Sequence, residues 1–195
     1  MNRRELLQRA SVLVSGSILG VDSLLAKNIS WDDMEAELSA KGIGLFSKKQ
    51  VQLLNEVADT IIPTTDTPGA KAAKTGQFIA VFVSDCYEPA DQKRFLDGLV
   101  ALENDCKAKT GKNFMKCSVQ ERQSFLSELD VAQKAYQKSK KKEEPAHYFR
   151  TIKDLTLWGY FTSEIGATQA LRFVEYPGKY TTVDYKKGDR NFGGY

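Results

Sequence analysis

The sequence of 195 residues predicts an all-α fold: a single bundle of five to seven helices with an extended aromatic C-terminal tail. Three observations carry this. Apolar residues recur at helical spacing in successive stretches, cap chemistry marks several of the starts, and no stretch alternates apolar and polar residues over strand length. Pro and Gly fall between the stretches, where helices must stop.

Residues 1–26 read as an export signal. Arg3 and Arg4 precede the soft stretch 10–25, in which nine of sixteen residues are apolar. That is too short and too polar for a membrane span, which needs about 20 apolar residues. It suits a targeting segment of the twin-arginine type, read by machinery that exports folded proteins. Leu24-Leu25-Ala26 is a weak cleavage site, with Leu where a small residue is preferred. A helical domain is expected over residues 27–175 and a strap over 176–195.

Within the domain, Ser30 with Asp33 resembles a capped start, with Gly42 as the stop. Ser47 with Gln50 is a better capping box, and Val51, Leu54, Ala58 and Ile61 continue one stripe until Pro63. Residues 64–69 form a loop by their chemistry, since Thr and Asp side chains bond local backbone and Pro68-Gly69 ends the segment. A second stripe carries Phe78, Val81, Phe82 and Cys86, and a third, after Pro89, carries Phe95, Leu99, Leu102 and Cys106. Ser118 with Glu121 opens a fourth, with Phe125, Leu126 and Leu129 inward. Pro145 suits the first turn of a fifth, which carries Phe149, Ile152, Leu155 and Trp158. Beyond Pro177-Gly178 the periodicity ends. The aromatics Tyr176, Tyr180, Tyr185, Phe192 and Tyr195 favour a strap that packs on something over a frayed tail.

The chemistry is sparse. One His and three Cys exclude a multi-His metal site, a CxxC zinc pair and a CxxCH haem attachment. A formal charge of +3 is too balanced for a nucleic-acid binder, and removing residues 1–26 leaves +2. The basic run Lys138, Lys140, Lys141 and Lys142 is followed at once by Glu143 and Glu144, as on a solvated loop. No glycine-rich loop cradles a dinucleotide or a phosphate, so no flavin or nicotinamide site is visible. His147 stands at a helix start and favours a capping or packing role over a general base. Asp59, Asp66, Asp85 and Glu164 show no spacing that sets two carboxylates across one bond. Cys86 and Cys106 would sit too far apart in a helical hairpin to bridge. Cys106 and Cys117 flank a polar loop and can meet across it, so export permits one disulfide with Cys86 buried and free. Three buried thiols are the alternative.

Three stretches go beyond generic helix: residues 58–70, residues 155–166, which include Trp158-Gly159-Tyr160-Phe161, and Tyr176-Pro177-Gly178-Lys179-Tyr180. With the paired arginines they resemble the gluconate 2-dehydrogenase subunit 3 family, from about Phe46 to about Asp189. The N-terminal insert 28–44 and the Lys-rich loop lie outside the likeness. The resemblance implies a non-catalytic small subunit of a periplasmic sugar or sugar-acid dehydrogenase, membrane-associated through its complex. In such complexes a large partner similar to glucose-methanol-choline oxidoreductases holds FAD and the active site. A cytochrome c subunit with haem c often completes them. The small subunit is implied to escort the folded flavoprotein through export.

Trp158, Tyr160 and Phe161 are too close together to share one helical stripe, so at least one must face outward. Burial is favoured for Trp158. Tyr160 and Phe161, with Tyr176, Pro177, Tyr180, Tyr185, Phe192 and Tyr195, are then the residues expected to meet the flavoprotein. Two other functions compete. One is a free-standing periplasmic sugar-active enzyme using Asp66, Glu164 or His147. The other is a carbohydrate-binding helical module using Trp31 or the Tyr-rich tail.

Overall fold

Ser47 starts the first helix as its chemistry predicts. Its hydroxyl accepts from the Gln50 N–H at 3.4 Å, and the Gln50 amide oxygen accepts from the Ser47 N–H at 2.9 Å. The computed structural model describes residues 42–174, 178, 184 and 186–193, all within one compact unit. Helix α1 (Lys48–Ile61) buries Val51, Leu53, Leu54, Val57 and Ala58 before Pro63 ends it. Helix α2 (Thr75–Cys86) follows a loop, α3 is Pro89–Thr110, α4 is Val119–Ser139 and α5 is Tyr148–Phe161. The described chain is all-α apart from one minimal strand pair.

Each boundary has a local cause. Pro89 sits in the first turn of α3, where its missing N–H costs nothing, and Gly111 ends that helix at φ 72°. A short 3-10 turn (Phe114–Lys116) then leads to the second capping box. There the Ser118 N–H donates to the Glu121 carboxylate at 2.7 Å. Helix α5 starts at Tyr148, three residues later than Pro145 suggested. The His147 ring caps it, with Nδ1 accepting the Phe149 N–H at 3.2 Å.

α1 packs most extensively on α2, while α5 touches all four other helices. The core between them includes Leu54, Val57, Ile79, Val83, Leu99, Leu102, Phe125, Phe149 and Ile152. One stripe differs from expectation. α2 turns Gly76, Ile79, Ala80 and Val83 inward, leaves Phe78 and Phe82 half-buried, and exposes Val81 and Cys86. Both stripes obey the 3.6-residue period. The small set wins because it lets α2 approach α1 closely: the Gly76 N–H reaches Asn55 Oδ1 at 3.1 Å, and a Cβ at position 76 would lie 2.5 Å from that oxygen.

After α5 the chain makes one π-type turn (Gly166–Ala170) and then β1 (Arg172–Phe173), which pairs in parallel with β2 (Phe192–Gly193). No strand was expected from the sequence. Two residues are too few for any alternation to show, and the pairing rests on Arg172, whose Nε donates to the Arg190 carbonyl at 2.6 Å.

Candidate functional site

The loop after α1 is a fixed turn. The Gly69 N–H donates to Thr64 Oγ1 at 3.0 Å, and the Ala70 N–H returns to the Ile62 carbonyl at 2.9 Å. A Cβ at Gly69 would lie 2.7 Å from that same carbonyl oxygen. Against this turn sits Tyr160, only 1% exposed, whose hydroxyl donates to the Pro68 carbonyl at 2.8 Å. Tyr160, Ala58 and Ala70 form a small core of their own, joined by Ile62, Ala73, Ile165 and Ala170. Residues 58–70 and 155–166, the two longer stretches of the resemblance, therefore clasp one another.

That clasp corrects two expectations. Tyr160 faces inward and is unavailable to a partner, because its hydroxyl finds an acceptor 92 positions away in sequence. Trp158, expected in the core, is 47% exposed, and Phe161, three residues on, is 40% exposed. Two of the three aromatics thus face outward from α5.

Around Trp158 the aromatics are ordered. Its ring stands edge-on to Phe82 at 4.6 Å and to Phe78 at 5.5 Å between centroids. Phe78 and Phe82 stack at 5.8 Å, and Phe82 meets Tyr87 edge-on at 5.8 Å. Gly159 makes the geometry possible, since a Cβ there would lie 2.4 Å from the Phe78 ring. Val81 extends the apolar face along α2 at 46% exposure. One turn further along α2, Ser84 holds the exposed Leu45 by accepting its N–H at 3.0 Å. Carboxylates border it. Burial, then the fields of Asp91 and Asp154, push the Tyr87 phenol up from its ordinary value. An ordered aromatic face with an acidic border has the composition of a protein-binding surface.

A second feature is a cleft of about 530 Å³ beside α3 and the start of α5, lined by Tyr87, Asp91, Arg94, Asp97, Gly98 and Tyr148 among others. Its charges are already paired: Arg94 with Asp91, and Asp97 with Lys93. The Tyr148 hydroxyl donates to Asp105 at 2.5 Å, and burial first, then Asp105, pushes its pKa far up. Among the described residues, the charged side chains that line the cleft are paired.

The residues weighed for acid/base work do not converge. His147 spends Nδ1 on the cap, stacks on Tyr148 at 4.6 Å, and has its pKa lowered by burial. Glu164 lies beyond the other end of α5, about 20 Å away by helical rise. Asp66 and Asp85 are exposed, and Asp59 accepts the Lys71 N–H at 3.4 Å. Among the described residues no three His, Cys, Asp or Glu side chains gather as a metal site, and no helix is long and apolar enough to cross a membrane. Cys106 and Cys117 do meet, with Sγ atoms 3.6 Å apart, as free thiols. Cys86, expected to be buried, is exposed at the end of α2.

Arg3, Arg4, Trp31, Tyr176, Pro177, Tyr180, Tyr185 and Tyr195 lie outside the described residues, and Phe192 is described by its backbone pairing alone. Trp158, Phe78 and Phe82 are the members of the face that sequence reasoning missed. Their signal was available, because aromatics on α2 and α5 recur at spacings that leave a second apolar stripe on each helix. No curated protein and no solved structure matches the chain. A model of the family described as gluconate 2-dehydrogenase subunit 3 matches residues 48–178, which span α1 to α5 and both clasped stretches. On that match the chain belongs to the gluconate 2-dehydrogenase subunit 3 family, by its name a subunit of a dehydrogenase complex.

Proposed function

We propose that this chain is the non-catalytic small subunit of a periplasmic, FAD-dependent sugar or sugar-acid dehydrogenase, and that it escorts the large flavoprotein through export. The observation that carries the reading is the aromatic face of α2 and α5. Trp158 is half-exposed yet held in place by Phe78 and Phe82, the preorganised kind of anchor that dominates protein interfaces. Membership of a dehydrogenase-subunit family supports association with other dehydrogenase subunits; in this reading they are a large flavin-binding subunit and a cytochrome c subunit as the route for electrons. FAD belongs to that partner. The sequence here has no glycine-rich phosphate cradle to hold it. Arg3 and Arg4 supply the address, so a flavoprotein folded around its cofactor crosses the membrane on this chain's signal.

The experiment expresses a large flavoprotein encoded beside this chain's gene, with and without the full chain. Flavin and dye-linked sugar oxidation are then measured in the periplasmic fraction. Both are expected there only when the chain is present, and the chain purified alone is expected to be colourless and inactive. Sugar oxidation by the chain alone would overturn the reading, as would equal export of the flavoprotein without it.

A further inference from the structure

The subunit reading leaves one built feature unused, at the junction of α3 and α4. Cys106 lies in the last turns of α3 and Cys117 directly follows the 3-10 turn; both are buried, and their sulfurs are 3.6 Å apart. The Thr110 hydroxyl donates to the Cys106 carbonyl at 2.8 Å and lies 3.4 Å from Cys117 Sγ. The Cys117 thiol donates to the Asn113 carbonyl at 3.5 Å. The surroundings hold this arrangement firmly. Phe114 is fully buried beside the pair, and Arg122 donates to the carbonyls of Phe114 and Met115 at 3.0 and 2.9 Å. A disulfide needs its sulfurs at about 2.05 Å. The remaining approach is therefore about 1.5 Å, within reach of small rotations of two short side chains.

We propose that Cys106 and Cys117 are an oxidation site, closed by a disulfide-bearing oxidant into an intrachain bond that ties the end of α3 to the start of α4. The steps balance. Cys117, the less deeply buried sulfur, attacks the oxidant's disulfide as a thiolate, forming a mixed disulfide and releasing one oxidant thiol. Cys106 then loses its proton and attacks Cys117 Sγ, and the second oxidant thiol leaves. Two protein thiols are oxidised and one oxidant disulfide is reduced to two thiols. Burial pushes the Cys106 thiol up to about 11, which keeps it protonated in the closed fold, so the first attack falls to Cys117. The first step needs Cys117 exposed to the oxidant, so the pair oxidises only as fast as the segment between α3 and α4 opens; the second needs only the small rotations that bring the sulfurs together. Cys86 cannot compete for Cys106. It precedes α3, and Cys106 lies about 25 Å along that helix. The pairing itself rests on geometry; only the place where the oxidant is met rests on the export reading.

The test uses the full chain carrying Cys86→Ser, an exposed position, reduced and then incubated with glutathione disulfide. After denaturation and alkylation, peptide masses should show Cys106 linked to Cys117 and neither alkylated, with both becoming alkylated after reductant. Thermal melting of the oxidised form should rise by about 5–10 °C over the reduced form. Alkylation of both thiols, or separate glutathione adducts on each, would overturn the proposal. A second arm traps the thiols by alkylation directly in cells. A linked pair there supports oxidation in an oxidising compartment. Free thiols in cells with closure in vitro would contradict the export reading and leave the pairing standing.

Discussion

Glu56 joins three parts of the chain that are distant in sequence. From α1 its carboxylate receives Lys71 of the following loop and, at 2.6 Å, Arg122 of α4. Burial opposes its charge, but hydrogen bonds from both cations outweigh that cost and hold the carboxyl below its ordinary value of 4.5. Asp130 is arranged alike: burial opposes its charge, and Lys134 and Lys153 with Gln133 pull it well below the usual carboxylate range. A carboxyl depressed in the folded state adds stability that is present above the unfolded value and lost as pH falls through the folded one. The melting temperature should therefore fall as pH drops from about 5 to about 3, and Glu56→Gln should melt with a shallower dependence across that window. Thermal melts at stepped pH check this. Parallel profiles for the two proteins would remove Glu56 from the account.

At the scale of elements, the sequence makes starts legible and facing directions less so. Ser47 with Gln50 and Ser118 with Glu121 place helix N-termini correctly because capping is settled within four residues. Facing depends on partners that local pattern does not contain. α2 carries two stripes of equal period, one large and aromatic, one small, and the inner one, Gly76, Ile79, Ala80 and Val83, is fixed by partners on other helices such as Asn55 of α1. On α5 the choice between Trp158 and Tyr160 was set by the Pro68 carbonyl, which no window along the helix includes. Pro145 misled by three residues because His147 caps better than Pro145 starts. The clasp between α5 and the 64–69 turn yields its own prediction. Tyr160→Phe keeps the ring and leaves the Pro68 carbonyl without its donor, so it should cost about 1–2 kcal/mol, a few degrees of melting temperature. Helix content and partner binding should not change, since the hydroxyl faces the interior. Denaturant melts and circular dichroism check it, and an unchanged midpoint would mean the clasp is held by packing alone.

Considered whole, the molecule separates support from contact. The stretches that carried the family resemblance, 58–70 and 155–166, spend much of their chemistry on each other, through Tyr160, Ala58 and Ala70. What the second of them leaves outside is Trp158 and Phe161, and Trp158 joins Phe78 and Phe82 of α2 in an exposed face bordered by Asp154 and Tyr87. The poverty of catalytic motifs in the sequence acquires a physical sense from this arrangement. His147 is spent on a cap, the cleft beside α3 is lined by charges already paired, and the exposed aromatics of α2 and α5 form the surface that the proposed function uses.

That surface is the central claim, and co-purification of flavin with the full chain tests it most directly. The unaltered chain and a Trp158→Ala, Phe161→Ala chain are each co-expressed with the large flavoprotein, and bound flavin is measured against recovered chain. Loss of two half-exposed aromatic anchors should lower the retained flavin by about tenfold or more, with helix content by circular dichroism unchanged. Equal retention of flavin by both chains would contradict the account and move the interface elsewhere.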